Sequence, residues 1–419
     1  MMLAAFRVRS FRFQWPADLL TSWAFEMETL ILSWYVMVNT GSVLWLTAFG
    51  SLQYIGTLAA PMFGVLGDRL GSRAMLCAMR ASYATLAALV MVLGLAGVLS
   101  APWILVIATV AGLVRPNDQV MRNALIGETI PPEHLIGALG MSRASVDSAR
   151  VAGALAGAGL SAALGVGYAF VFVTLFYVAS LALTLGVARG SAVPDLAVRA
   201  SVLMSRPSRY RDLKDGLVHV ATTPMLLAAM VLAFLINLCA YPVTSGLLPY
   251  VAERIFFVDA KGLGWLVASF SFGALLGSIA IVVTGGPRRP ERSMLVHTVL
   301  WYVLLLGFAH ARSMSLALVL LVLAGFVQSV AMISLMGALL QAADARFRTR
   351  VMGVRTLAVY GMPLGLMGAG VLVERAGYSL TVSVCCAVGL VSTLLVAILW
   401  RSSMWHRTRA LSSATTSAP

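Results

Sequence analysis

Charge is scarce in this chain. Only 11% of its 419 residues are Asp, Glu, Lys or Arg, against about a quarter in soluble domains. Too little polar surface exists to cover a soluble fold of this length. Cysteine is scarce too, with four residues in apolar runs (Cys77, Cys239, Cys385 and Cys386) and no CxxC spacing. That argues against a thiolate metal centre or a redox motif and leaves small apolar core residues. The five histidines, His134, His219, His297, His310 and His406, show no ligand spacing. No Walker phosphate-binding motif occurs, so ATP-driven chemistry is not encoded. No metal and no cofactor are expected, and no enzymatic activity. The basic start, "MMLAAFRVRSFRFQW", lacks a small-residue cleavage site and is expected to be a cytoplasmic amphipathic lead-in.

Apolar sequence is what is abundant. Hydrophobic residues make up 60% of the chain and its mean hydropathy is +0.91. The apolar runs are continuous over ~20 residues, the length of a membrane helix, and do not alternate as barrel strands do. Twelve runs qualify: 17–39, 42–66, 74–98, 102–127, 138–163, 166–188, 224–248, 262–284, 292–310, 314–341, 351–373 and 378–400. The longest polar stretch separates the sixth from the seventh. The expected fold is an all-α polytopic membrane protein, with twelve transmembrane helices in two pseudo-symmetric six-helix bundles. Residues 1–188 and 224–400 form the bundles, 189–223 a cytoplasmic linker and 401–419 a polar cytoplasmic tail.

Charge distribution orients the spans. With the N-terminus inside, twenty-five Lys and Arg fall on the cytoplasmic side or its span ends, and four fall outside: Arg254, Lys261, Arg312 and Arg375. Arg115 lies mid-span. This bias orients a multi-pass protein with both termini cytoplasmic. The net charge of +14 then reflects topology and anionic lipid headgroups, and no nucleic-acid partner is expected.

The halves repeat. "VLGDRLGSRAML" (65–76) and "VTGGPRRPERSML" (283–295) occupy equivalent places, as do "HLIGALGMSRAS" (134–145) and "RTRVMGVRTLA" (348–358). Two related halves rocking about a central site are a transporter architecture. Between spans two and three, "GVLGDRLGSR" packs Gly64, Gly67, Asp68, Arg69, Gly71 and Arg73 into one short connection. Glycine allows a tight turn and close helix approach. Ser72 is placed to cap span three. Asp68, Arg69 and Arg73 can form a charged clasp that breaks and re-forms as the halves rock. The alternative is an ordinary basic turn that fixes topology.

This stretch resembles the loop signature of the major facilitator superfamily, G-x-x-x-D-R-x-G-R-R, with Ser72 in place of one basic residue. "RYRDLKDGLVHVATTPML" (210–226), "LLPYVAERIFFVDAKGLGWLVASFSFGALLGS" (247–278) and "RTRVMGVRTLAVYGMPLGLMGAG" (348–370) are similar to the branch that includes siderophore and macrolide exporters. Exporters of that superfamily often carry a glycine–proline motif in span five. Here Ala154 stands where the proline would be, and Gly153, Gly157 and Gly159 remain for close packing. The resemblance implies that spans one and four line a central cavity.

Buried charges are expensive and usually functional. In span one Glu26 and Glu28 point ~200° apart, so both do not face one cavity. Glu26 shares a stripe with Asp18, Ser22, Thr29 and Ser33, and Glu28 a face with Thr21 and Tyr35. Either can carry a proton or meet a cationic substrate; the alternative is a structural acid paired with arginine. Arg115 is the candidate partner, itself spaced to pair with Asp118 at i,i+3, and Pro116 can kink the helix there. Arg143, Asp147 and Arg150 form a charged face on span five. In the second half Asn237, Tyr241, Gln328 and Tyr360 are candidate polar groups for substrate. No acid lies mid-membrane there, so Glu26, Glu28 and Asp118 are the proton-coupling candidates.

The expected function is proton-coupled efflux of amphipathic small molecules by a monomer in a bacterial inner membrane. Its partners are substrate, protons and membrane lipid. The rivals are uptake of a small anionic solute through Arg115, and a non-transporting membrane sensor or scaffold.

Overall fold

A computed structural model describes residues 6–57, 70–188, 217–343 and 347–401. All regular structure among them is helical. Span one runs from Arg9 to Thr40 and stops at Gly41, which takes φ 61° and returns its N–H to Met37 O at 2.8 Å. A side chain there would meet the left-handed penalty that glycine escapes. Spans five and six form one helical run, Pro132–Leu185, whose one non-helical residue is Gly165 at φ 78°, ψ 170°. That glycine falls inside the gap expected between residues 163 and 166.

Eight helices among the described residues are long and apolar enough to cross a membrane, and one of them, Met141–Leu185, covers spans five and six. The other three expected spans drop out for local reasons. Glu26 and Glu28 lower the hydropathy of span one. Span two is followed over Val43–Leu52 and a 3-10 turn at Ile55–Thr57, after which it enters residues outside the described set. Span four is broken, with Ala101–Val114 and Asp118–Thr129 joined by a 3-10 turn at Arg115–Asn117. Pro116 has no N–H to continue the ladder, which is the kink its position foretells. Spans seven and eleven also depart from single continuous helices. Span seven passes into π-turns at Pro242–Gly246 and Val251–Ile255, and span eleven tightens at Ala358–Tyr360.

Among the described residues two large apolar cores form, beside a small cluster of Phe11, Ile126, Ile130 and Ala138. One gathers residues from Ala24 to Val187. The other gathers residues from Val220 to Val396, together with Leu30, Val43, Ala154 and Ala158 of the first half. Outward faces carry large apolar side chains such as Val282, Val391 and Leu399. Only a hydrocarbon solvent tolerates that on so many helices. The halves touch where side chains are small. Gly264 of span eight lies against Ala154 and Ala158 of span five, and Gly370 of span eleven against Thr47 of span two. Ser51 Oγ donates to Pro363 O at 3.2 Å. Ala154, in the place of the exporters' proline, thus serves as a helix–helix contact.

Span five also crosses span one closely. A Cβ on Gly153 would sit 2.9 Å from Glu26 Cβ, and one on Gly157 would sit 2.9 Å from Met27 Cα. Gly159 has nothing within 4 Å of the same position. Gly157→Leu is therefore expected to destabilise the protein by about 1–3 kcal/mol through overpacking, and Gly159→Leu to leave it unchanged. Thermal unfolding in detergent checks this; equal midpoints for the two variants would contradict the crossing.

Candidate functional site

The two halves part along spans two and eleven. Near Gly41 they are in contact, through Thr47 and Ser51 on one side and Pro363 and Gly370 on the other. One to two turns further along, Gln53, Tyr54 and Thr57 face Thr356 and Val359 across a cavity of about 350 Å³. The molecule is closed at the Gly41 end and open between the halves beyond it. At the closed end Arg254 Nη2 reaches Gly41 O at 3.5 Å, beside a polar cleft of about 370 Å³ that includes Tyr250 and Glu374.

Charge in the cavity comes from the first half. Glu26, Arg115, Asp118, Arg122 and Arg150 all line it. Glu26 is held loosely: its nearest cation is Arg150 Nε at 3.8 Å, and the two side chains are 20% and 44% exposed. Glu28 does not line the cavity. It accepts a hydrogen bond from Tyr177 Oη at 2.8 Å and pairs with Arg115. The helical separation of the two acids accounts for this split. Arg115 also lies over the Phe25 ring, 4.4 Å from its centre.

The expected pairing of Arg115 with Asp118 does not occur. Asp118 pairs with Arg122 instead. The 3-10 turn at Arg115–Asn117 alters the i,i+3 geometry that an unbroken helix would supply, whereas Asp118 and Arg122 sit four apart on the regular helix that follows. On span five Arg143 and Asp147 pair at 3.3 Å, which frees Arg150 to reach across to span one.

A larger polar network lies deeper. Asp18 is 1% exposed and pairs with Arg80, which is fully buried. Arg122 Nη1 donates to Asp18 O at 3.1 Å and to Ser22 Oγ at 2.8 Å. Arg80 also donates to Thr184 Oγ1. Spans one, three, four and six are joined by these groups. Sequence reasoning assigned Arg80 and Arg122 to the cytoplasmic side as topology residues and missed the network. The expected bounds hid it: they put Asp18 at the very start of span one, whereas the helices begin at Arg9 and Ser72 and so place Asp18 and Arg80 at comparable depth from the same membrane face.

Several expected site residues lie elsewhere. Asn237, Tyr241, Gln328 and Tyr360 do not line the cavity, whose second-half wall is Thr356 and Val359. Three of them serve the second half internally, since Asn237 Nδ2 donates to Ala233 O at 2.8 Å and Gln328 Nε2 to Tyr241 Oη at 2.9 Å, whereas the Tyr360 hydroxyl has no partner among the described residues. Gly64, Asp68 and Arg69 of the connecting loop lie outside the described residues. Gly71 precedes the helix that starts at Ser72. Ser72 does not cap that helix; its hydroxyl donates to Glu128 Oε1 at 2.6 Å. Arg73 donates to Thr184 O at 3.4 Å and to Leu185 O. Those carbonyls end span six, where cations are favoured. All four cysteines are free. Among the described residues no group of His, Cys, Asp and Glu could hold a metal ion.

A charged cavity between two helical halves fits a carrier, and comparison with known proteins decides the family. Residues 17–360 match the Major Facilitator Superfamily. The chain belongs to that superfamily. It is a secondary transporter and not an enzyme. The multidrug efflux pump Tap of Mycolicibacterium fortuitum is 27% identical over 360 residues, or 83% of this chain and 85% of Tap. Two solved structures align over nearly the whole chain. A POT family transporter in complex with a thioalcohol-conjugated peptide gives a TM-score of 0.69 at 13% identity, covering 95% of this chain and 97% of that one. A bacterial homologue of the human lysosomal transporter Spinster, inward-facing and occupied, gives 0.67 at 15% identity, covering 94% and 96%. At such identities the likeness shows the fold alone.

Proposed function

We propose that this transporter exports amphipathic small molecules from a bacterial cytoplasm across the inner membrane, in exchange for protons. The observation that carries the proposal is the state of Glu26. It is the acid of the cavity with the weakest hold. Asp118, the other acid there, is paired to Arg122, and Glu28 is engaged by Arg115 and Tyr177 behind the wall. A carboxyl that shuttles must meet water and let go of its partner, and Glu26 alone among these does both.

The cycle follows from competition at one carboxylate. With the cavity open to the cytoplasm, deprotonated Glu26 receives a substrate while Arg150 swings aside. Separation of the contacts at the Gly41 end opens the cavity to the outside, where a proton displaces the substrate. Protonated Glu26 no longer holds the cargo, the carrier returns to its inward-open state, and the proton leaves to the cytoplasm, which restores the carboxylate for the next substrate. The kinship with Tap supports export. The lock of Arg115 onto Glu28 weighs against capture of an anionic solute, because the cation is already neutralised.

Inverted membrane vesicles test direction and coupling together. Ethidium is expected to accumulate inside vesicles with an acidic lumen, and a protonophore is expected to abolish the accumulation. Accumulation in right-side-out vesicles instead, or indifference to the protonophore, would overturn the proposal.

A further inference from the structure

We infer that the cavity wall beside the break in span four is a subsite for a hydroxyl- or amine-bearing part of the cargo. The inference rests on the cavity being the substrate site. Three side chains from three different spans carry it: Thr57, Tyr83 and Asp118. All three line the cavity. As residues they are 8%, 4% and 8% exposed, and the Asp118 side chain by itself is 11% exposed. In each, one polar atom has no hydrogen-bond partner among the described residues: Thr57 Oγ1, Tyr83 Oη and Asp118 Oδ1.

Buried polar atoms are almost always paired; of the twenty side-chain atoms among the described residues that lack a hydrogen-bond partner, five belong to side chains that line this cavity, these three together with Arg115 Nε and Arg122 Nε. Packing does not require them, since valine, phenylalanine and leucine would fill the same space. Asp118 is held in place through its other oxygen, which pairs with Arg122. Its Oδ1 can therefore only accept, and it demands an O–H or N–H on the ligand. The two hydroxyls beside it can donate or accept. The set matches neighbouring hydroxyl groups, or a hydroxyl next to an amine. It disfavours a plain hydrocarbon, which leaves all three atoms unsatisfied. Phe25 and Val359 supply apolar contact for the remainder of the molecule. A site built to hydrogen-bond a substrate hydroxyl rejects the analogue without it far more strongly than an apolar pocket rejects an extra group.

Thiamphenicol and florfenicol form a suitable probe pair, because they differ by one hydroxyl replaced with fluorine. Titration calorimetry on the full-length protein in lipid nanodiscs reads their affinities directly. Thiamphenicol is expected to bind about tenfold or more tightly than florfenicol, the scale of a hydrogen bond to a charged group. Thr57→Val and Tyr83→Phe should each shrink that ratio at least about threefold, as expected from the net value of one hydrogen bond, by weakening thiamphenicol alone. Retained florfenicol binding shows that the variants are folded, and the two variants serve as independent checks. Equal affinities in the wild-type protein, no binding of either compound, or parallel loss of both in the variants would overturn the subsite. The measurement is made at equilibrium with no gradient. A carrier that imports, or that ignores protons, would still show the preference while failing the vesicle experiment.

Discussion

Asp18→Ala is expected to cost the protein about 3–5 kcal/mol of stability, the usual penalty for stranding a buried charge. Asp18 is 1% exposed and Arg80 is fully buried. Removing the carboxylate leaves Arg80 with Thr184 Oγ1 as its remaining hydrogen-bond partner. Arg122 loses one of two carboxylates and keeps Asp118. The stranded guanidinium is therefore that of Arg80. Adding Arg80→Met should recover most of the loss, because a pair removed together leaves an apolar contact rather than an orphaned charge. Thermal unfolding of the single and double variants in the same detergent gives the coupling. If the double variant lost stability additively, Asp18 and Arg80 would not form the energetic unit that their geometry implies.

Glu26→Gln should have the largest functional effect and a small structural one. Glutamine keeps the shape and removes both the charge and the titration. Proton-driven ethidium accumulation is expected to fall by about 100-fold or more, the scale of losing a proton-transfer group. Stability should move by no more than about 1 kcal/mol, because a pair held at 3.8 Å with a partly exposed arginine contributes little. Glu28→Gln should show the opposite balance. It strands Arg115, which is 9% exposed at its side chain, so unfolding at lower temperature is its primary effect. Flux and melting measured on both variants separate the roles. A Glu26→Gln protein that kept half its proton-driven flux would remove Glu26 from the coupling step.

The break at Arg115–Asn117 shows where sequence reading works and where it stops. Pro116 announces the kink through its own covalent structure. The consequence for pairing is not local: the turn shifts Arg115 off the regular helix, Glu28 of span one takes it up, and Asp118 falls to Arg122. Gly165 is similar. Its neighbours in sequence set the boundary between spans five and six, yet nothing local says that Gly153 and Gly157 meet Glu26 and Met27. The second-half candidates failed to line the cavity for a related reason. A polar residue in an apolar run is legible, but whether it faces cargo, its own backbone or a neighbour depends on helix rotation. Asn237 bonds its own helix, and Tyr241 and Gln328 bond each other.

From the sequence alone came the solvent, the all-helical multi-span fold and the superfamily. These depend on apolar length, on the spacing of glycine and proline, and on the side to which arginines fall, all of which are local or additive along the chain. The tertiary structure decided which of two acids two residues apart faces the cavity and which arginine each acid holds. Those outcomes depend on the rotation and depth of helices from distant parts of the chain, fixed by packing across both halves, and no local pattern encodes them.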